Sequence, residues 1–276
     1  MLNTPFERRR FLAGACGCCV GFAAPLSALS AQASVVAAGE PDLLELAMEG
    51  MQRLSATVWI GQIAPGLWVH TTTAIIPGGY YYPANGLIVE TQDSAILIDT
   101  GYEPEQTHVL LDWADRTLAT PVAMAVGTHF HNDSIGGAAA LEARGLPLVI
   151  SALTQEQARS RDLPLPTRIL SPDQVPQSLQ DDCQLYYPGG GHTIDNIVAW
   201  LPRQKTLFGG CLLKSETSRS LGNLADAVVG EYKASVERLS ATFPGAEIVV
   251  PGHGTLRGNA IARTLMLIEA QLRAGL

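Results

Sequence analysis

The chain of 276 residues has little charge, with 16% Asp, Glu, Lys and Arg, whereas 47% of its residues are hydrophobic. A disordered chain needs the opposite balance and is excluded. Its 27 glycines and 17 prolines follow no fixed period, which excludes collagen-like and low-complexity architectures. The net charge is −8 and the basic residues are scattered, so the basic patch of a nucleic-acid-binding protein is missing. We expect a soluble globular protein that binds no nucleic acid.

Cysteine is scarce, and three of the five cysteines lie in an N-terminal segment unlike the rest of the chain. There, Arg8-Arg9-Arg10-Phe11-Leu12 precedes an apolar run, and Ala31-Gln32-Ala33 offers a small-residue cleavage site. This order is typical of an export signal. It resembles a twin-arginine signal, although Glu7 stands where that motif usually has Ser or Thr. We predict a signal peptide over residues 1–33, a periplasmic location and no stable membrane association.

Strands and helices are predicted to alternate over residues 34–276, with no linker-like stretch between the two halves. Helices are expected over 41–54, 104–118, 135–144, 153–161, 231–242 and the C-terminal segment. Strands are expected over 57–63, 67–75, 86–89, 95–99, 121–128, 146–151, 183–187, 197–201, 206–209 and 248–250. This order favours one layered α/β domain with helices on the outer faces. No Gly-x-Gly-x-x-Gly joins an early strand to a helix, which disfavours a Rossmann fold.

Histidine is also scarce, but four of the six histidines fall at the ends of predicted strands. His70, inside a predicted strand, and His108, on a surface-type helix, are expected to be ordinary structural residues. Taken singly, His129 or His131 would be a satisfied core residue, and Asp133 would be a helix N-cap. Together they place three potential ligands within five residues at one strand end. This spacing predicts a metal site.

Three further strand ends carry a metal-ligand residue type beside glycine. His192 follows Gly189-Gly190-Gly191, Cys211 follows two glycines, and a last histidine lies in Pro251-Gly252-His253-Gly254. Each alone would be an incidental turn residue. Functional loops of a layered α/β fold collect at one edge of the sheet. We therefore expect these three side chains to meet the first ligand group.

These motifs resemble the metallo-β-lactamases of class B, subclass 1, over nearly the whole chain from Val58 onward. The resemblance rests on His129-x-His131-x-Asp133, Gly-Gly-His192-Thr-Ile-Asp-Asn, Gly-Gly-Cys211-Leu-Leu-Lys214 and Pro-Gly-His253-Gly. Glyoxalase II, lactonases and the third lactamase subclass usually have His where Ser134 stands. The second subclass usually replaces His129 by Asn. The resemblance implies a four-layer αββα sandwich, here expected as a single domain over residues 34–276.

The resemblance also implies two zinc ions, each held by three side chains. The first set is His129, His131 and His192, and the second set is Asp133, Cys211 and His253. Three imidazoles with an open position suit a catalytic zinc, and a thiolate suits the second ion. Because a metal-bound cysteine is a thiolate protected from oxidation, no disulfide is expected between Cys183 and Cys211.

The implied reaction is hydrolysis of the β-lactam amide bond of penicillins, cephalosporins and carbapenems by a metal-bound hydroxide. Asp133 and Asn223 are the implied catalytic residues. Lys214, through its charge, and Asn223, through a hydrogen bond, are implied to bind the substrate. Asp99 is expected to organise the metal-binding loops. Tyr80-Tyr81-Tyr82 are expected either to cover apolar substrate groups from a loop or to pack in a hairpin.

Two alternative functions remain open at this point. One is another hydrolase of the same fold, acting on a thioester or a lactone, and Ser134 and Lys214 count against it. The other is a non-catalytic zinc-binding protein, which has no need of Lys214 or of open coordination positions. As an enzyme, the protein is expected to be a monomer whose partner is a small-molecule β-lactam substrate.

Overall fold

The computed structural model describes residues 30–31, 36–37, 48–76 and 79–274. The strands are β1 (Ser30–Ala31), β2 (Val36–Ala37), β3 (Met48–Glu49), β4 (Gln52–Ser55), β5 (Val58–Ala64), β6 (Leu67–Ile76), β7 (Tyr80–Glu90), β8 (Ala95–Ile98), β9 (Val122–Val126), β10 (Leu148–Val149), β11 (Ile169–Leu170), β12 (Gln184–Tyr186), β13 (Val198–Leu201), β14 (Thr206–Gly210) and β15 (Ile248–Pro251). The helices are α1 (Pro104–Thr117), α2 (Asn132–Ile135), α3 (Ala138–Arg144), α4 (Ala152–Ser160), α5 (Gln177–Gln180), α6 (Val229–Thr242) and α7 (Ala260–Arg273), with a 3-10 turn at Pro172–Gln174. Apart from Ser30–Ala31, the predicted signal peptide lies outside the described residues.

The strands form two large sheets. The order in the first is β11-β10-β9-β8-β7-β6-β5-β4, with β2 paired to β7, and the order in the second is β12-β13-β14-β15. In the first sheet, the neighbours from β4 to β8 are antiparallel and those from β8 to β11 are parallel. In the second, β14 and β15 are parallel, so their carboxyl ends lie at the same edge.

Three clusters of buried apolar side chains define four layers. Between the sheets, Leu87 and Ile98 of the first sheet belong to the same cluster as Phe208 of the second. Helix α1 packs on the other face of the first sheet, and α6 and α7 pack on the other face of the second. In α1, Leu110, Leu111 and Trp113 are buried, and fully burying one large apolar side chain stabilises the fold by about 1.5–3 kcal/mol. The predicted αββα sandwich is confirmed.

Local sequence explains where α1 begins and why a predicted helix is divided in two. Pro104 occupies the first turn of α1, and Glu103 and Gln106 form a capping box. The helix predicted over 135–144 is wrong in its extent, because α2 ends at Ile135 and α3 begins only at Ala138. Gly136-Gly137 separate them, and a Cβ at Gly136 would lie 2.2 Å from the carbonyl oxygen of Tyr102. Within the described ranges, no helix has the length and apolar character needed to cross a membrane.

The helix predicted over 41–54 is wrong where the structure describes it, and residues 41–47 lie outside the described residues. Met48–Glu49 and Gln52–Ser55 are strands. β4 pairs with β5, and the Met48 side chain is buried against Trp59. Pairing with a sheet edge therefore outweighs the weak helical pattern of this segment.

Strand β7 starts at Tyr80, six residues before the predicted start at residue 86. Residues 80–85 pair with β6, so Tyr80-Tyr81-Tyr82 lie in a hairpin rather than in a loop. Alternation along the strand gives the three tyrosines different surroundings. Tyr80 is 44% exposed, Tyr81 packs beside Trp59, and Tyr82 lines the site described below.

Candidate metal centre

The six predicted ligands meet at one edge of the two sheets. They are His129 and His131 after β9, Asp133 in α2, His192 between β12 and β13, Cys211 directly after β14, and His253 directly after β15. Backbone hydrogen bonds join the segments that carry them: the Ile197 N–H donates to the Thr128 carbonyl at 2.8 Å, and the Gly252 N–H donates to the Gly210 carbonyl at 2.7 Å. Loop convergence at a sheet edge, which the sequence predicted, is confirmed.

Asp133, Cys211 and His253 form a compact triad. Asp133 Oδ2 lies 3.2 Å from His253 Nε2 and 3.2 Å from Cys211 Sγ. The sulfur lies 3.2 Å from the same histidine nitrogen. One ligand atom from each of the three side chains lies within 4.8 Å of the others, so the triad could hold a single ion.

The three remaining histidines lie against this triad. His131 Nδ1 is 3.1 Å from His192 Nε2, and the ring centroids of His129 and His192 are 5.2 Å apart. His129 Nε2 lies 3.5 Å from Asp133 Oδ1. Ligand atoms of His129 fall within 4.8 Å of those of His131 and Asp133, and also of those of His192 and Cys211. The two predicted ligand sets are therefore adjacent, with Asp133 between them.

Three of the four histidines use their other ring nitrogen in a hydrogen bond to the protein. His129 Nδ1 pairs with Thr128 Oγ1 at 3.1 Å. His131 Nε2 pairs with Asp226 Oδ2 at 3.1 Å, and His253 Nδ1 pairs with the carbonyl oxygen of Pro83 at 2.8 Å. Such partners fix the tautomer and orientation of histidines that bind metals.

The donor atoms fit a thiophilic metal such as zinc. Among the described residues, buried His129 Nε2 has no hydrogen-bond partner, which costs about 1–3 kcal/mol unless something binds it. Burial lowers the pKa of His129 to about 3 and that of His192 well below its ordinary value, so both rings are neutral, as a metal ligand must be. Burial raises the pKa of Cys211 well above its ordinary value, and only a nearby cation would make its thiolate favourable.

Asp133 remains ionised despite its burial. Burial alone would raise its pKa, but the neighbouring histidines, His129 first and then His253, hold the pKa well below its usual range. An ionised carboxylate between two groups of nitrogen and sulfur donors supplies the negative charge that a cation site requires.

Asp99 organises the loop that carries the first ligands, as expected. Its carboxylate accepts hydrogen bonds from Thr128 N at 2.9 Å, Thr128 Oγ1 at 3.0 Å and Ser134 Oγ at 2.5 Å. Burial raises the pKa of Asp99 to about 7. Its backbone is left-handed, with a φ of 56°, at the turn after β8. Ser134 is therefore part of the loop scaffold, and its hydroxyl is engaged away from the ligand atoms.

Lys214 and Asn223 line the cavity over the ligands, where the sequence placed them. Two cavities, of about 540 and 520 Å³, share Lys214, Tyr82 and His253 in their walls. Lys214 is 8% exposed, and burial lowers its pKa, which Cys211 and Asp133 oppose. Asn223 lines only the 540 Å³ cavity, and its Oδ1 accepts the Ala225 N–H at 3.0 Å.

Asp226 and Arg161, which no sequence motif singled out, also line this cavity. Asp226 follows Asn223 by three residues, and a carboxylate in a predicted substrate loop was the available signal. Nothing in the sequence pointed to Arg161. Tyr82 was predicted only as one of three tyrosines, and the structure stacks its ring on that of His253, with centroids 4.5 Å apart.

Cys183 lies apart from the ligand cluster. Both Cys183 and Cys211 are free thiols, as predicted. Cys183 is buried in the core between the sheets, and this burial raises its pKa to about 12. It is therefore an inert core thiol.

Comparison with known proteins gives a consistent result. The family profile of the metallo-β-lactamase superfamily matches residues 80–253. A metallo-β-lactamase type 2 of Bacteroides fragilis is 36% identical over 210 residues, which cover 76% of this chain and 84% of that protein. The corresponding protein of Bacillus cereus is 36% identical over 200 residues, which cover 72% of this chain and 78% of that protein.

Solved structures agree with the curated relatives. A metallo-β-lactamase from Erythrobacter litoralis superposes with a TM-score of 0.73 at 38% identity, covering 80% of this chain and 99% of that chain. The mono-zinc form of FIM-1 from Pseudomonas aeruginosa gives a TM-score of 0.70 at 34% identity, covering 78% of this chain and 96% of that chain.

Proposed function

Because the chain belongs to the metallo-β-lactamase superfamily, we propose that it hydrolyses the amide bond of β-lactams with two bound zinc ions. The observation that carries this proposal is the gathering of six ligand side chains beneath a cavity that also holds a buried lysine. In the proposed arrangement, His129, His131 and His192 hold one ion, and Asp133, Cys211 and His253 hold the other. When bound, zinc lowers the pKa of water to about 7 and so supplies a nucleophile at neutral pH.

The protein's own side chains supply orientation and charge. Asp133 has one oxygen 3.5 Å from His129 Nε2 and the other 3.2 Å from His253 Nε2, so its carboxylate is placed to orient the attacking water between the two sets. Lys214 offers a point charge to the substrate carboxylate from the cavity wall. Asn223 has its side-chain oxygen engaged with Ala225, which leaves its NH₂ group to donate to the lactam carbonyl as negative charge develops there.

The decisive experiment measures hydrolysis of a penicillin, a cephalosporin and a carbapenem by the purified mature protein. We expect turnover by the zinc-loaded protein, loss of turnover after chelation and recovery when zinc is returned. A control protein treated with the zinc-saturated chelator should keep its activity. If the zinc-loaded protein turns over none of the three drugs, the proposed function is wrong. The same measurement gives the relative activity on each drug class.

We propose further that the protein is exported to the periplasm through the twin-arginine route. The support is the Arg8-Arg9 pair, the apolar run after it and the Ala31-Gln32-Ala33 site. Replacing both arginines by lysine should leave uncleaved precursor in the cytoplasm, as seen by cell fractionation and immunoblotting. Unchanged export of that variant would assign the protein to the general secretion route instead.

A further inference from the structure

We propose that Arg161 is a positioning residue that acts through Asp226 to orient His131 and so strengthens metal binding by the three-histidine set. This inference rests on the proposed function, in which His131 is a metal ligand. Arg161 lies outside every ligand motif of the sequence. It is connected to the candidate ligand His131 through the carboxylate of Asp226.

The two oxygens of Asp226 have different partners. Oδ2 lies 3.1 Å from His131 Nε2, whereas Oδ1 accepts a hydrogen bond from Arg161 Nη2 at 3.2 Å. Asp226 lies in the segment between β14 and α6, and Arg161 is the C-cap residue that directly follows α4. The carboxylate therefore connects two segments that both line the 540 Å³ cavity.

Arg161 is itself fixed from two other directions. Its guanidinium carbon lies 4.2 Å from the ring centroid of Phe130, the residue next to His131. Its Nη1 donates to Gln157 Oε1 at 2.6 Å, within the same helical turn. Phe130 is buried, so one face of the guanidinium packs on a core aromatic ring. The contacts therefore form a closed circuit, from Phe130 to Arg161, to Asp226, to His131 and back to Phe130.

These contacts determine which nitrogen of His131 faces the other candidate ligands. Accepting a hydrogen bond from Nε2–H, Asp226 stabilises the tautomer in which Nδ1 carries the lone pair. That Nδ1 is the atom 3.1 Å from His192 Nε2. Because Arg161 holds Oδ1, the carboxylate cannot rotate without breaking a charge-assisted hydrogen bond. Orientation of Asp226, and through it of His131, is the expected contribution of Arg161.

The size of the effect is limited by exposure. The Arg161 and Asp226 side chains are 38% and 30% exposed, so solvent screens their attraction. For Asp226→Asn, zinc affinity should fall roughly tenfold to a hundredfold, the range typical of the outer partners of metal-binding histidines. For Arg161→Ala, it should fall only about two- to fivefold, as for other partly exposed ion pairs.

The test is a double-mutant cycle read by zinc affinity, measured through competition with a chromophoric chelator. Arg161→Ala should weaken binding in the wild-type background and have no further effect in the Asp226→Asn background. Arg161→Lys should recover part of the loss, because it retains the charge without the planar guanidinium. Arg159→Ala, at an exposed position of the same helix, is the matched control and should leave affinity unchanged.

A second measurement keeps the test independent of catalysis. Long-range proton–nitrogen NMR spectra of the metal-free protein should show the Nε2–H tautomer of His131 in the wild type and a mixture in Asp226→Asn. An equal effect of Arg161→Ala on zinc affinity in both backgrounds would overturn the proposal, because Arg161 would then act independently of Asp226. An effect on KM alone would also overturn it and would make Arg161 a substrate contact. If the wild type binds no zinc, the proposed function itself fails. If it binds zinc but hydrolyses no β-lactam, the cycle still tests the role of Arg161.

Discussion

His70 should make the stability of this protein fall steeply in mild acid. Its side chain is 1% exposed, and its Nε2 lies 3.0 Å from the Asp99 carbonyl oxygen and 3.3 Å from that of Ile98. Its Nδ1 has no partner among the described residues. Protonation would therefore place an uncompensated charge in the core, and His70→Gln, which cannot titrate, removes that possibility.

The magnitude follows from the pKa of this histidine. Burial lowers the pKa of His70 from 6.5 to about 4. The unfolded chain then binds more protons than the folded chain between these two values, so the stabilisation is complete above pH 6.5 and is lost as the pH falls towards 4. Each tenfold change in proton affinity is worth about 1.4 kcal/mol, so the loss amounts to about 3 kcal/mol.

The assay compares the free energy of unfolding of the wild type and of His70→Gln, by urea denaturation at a series of pH values from about 7.5 to about 4. Asp99, whose carbonyl oxygen contacts His70, is also titratable, and its raised pKa gives a pH dependence of opposite sign. Because Asp99 is present in both proteins, the difference between the two curves isolates His70. Curves that remain parallel over this range would refute the reasoning.

Three further predictions, two of them with a matched control variant, have defined outcomes. Lys214→Ala should raise KM for carboxylate-bearing β-lactams roughly tenfold or more with a smaller effect on kcat, and an unchanged KM would remove it from the substrate site. Cys211→Ser should lose much of the second zinc and most activity while Cys183→Ser loses neither, and a cross-linked peptide joining the two cysteines in active enzyme, seen by mass spectrometry, would contradict the ligand assignment. Gly86→Ala places a Cβ 2.2 Å from a histidine nitrogen and should cost about 1–3 kcal/mol in thermal unfolding. Gly230→Ala, with no atom within 4 Å, should cost nothing.

The layered fold was predictable because its strands and helices alternate clearly along the chain. The failures lie where a segment's state depends on a distant neighbour. The residues of β4 follow a helical pattern, but they form a strand because they pair with β5. For Tyr80–Tyr82 the sequence left a loop and a hairpin both open, and pairing with β6 extends β7 through them. The residues of each segment alone do not show that it will pair with β5 or with β6.

The gathering of the six candidate ligands was predictable for a related reason. Each ligand lies in the segment that follows a strand, and Cys211 and His253 come one and two residues after β14 and β15. Such segments meet at a sheet edge in a layered α/β fold. The residue types are restricted, since few side chains bind a soft metal. Candidate ligands of a few residue types at strand ends can therefore be predicted from the sequence without a structure.

The hydrogen-bond partners that orient those histidines cannot be predicted from the sequence, because almost any hydrogen-bond acceptor can fill this role. Thr128 is next to its histidine, Asp226 is 95 residues from His131, and the carbonyl of Pro83 is 170 residues from His253. A hydroxyl, a carboxylate and a backbone carbonyl can each accept a hydrogen bond from the ring nitrogen. The residue type therefore does not identify the partner, which depends on the fold. Substitutions far from every motif can therefore alter metal binding. Arg161, one contact further out than Asp226, is the position where this consequence is most open to measurement.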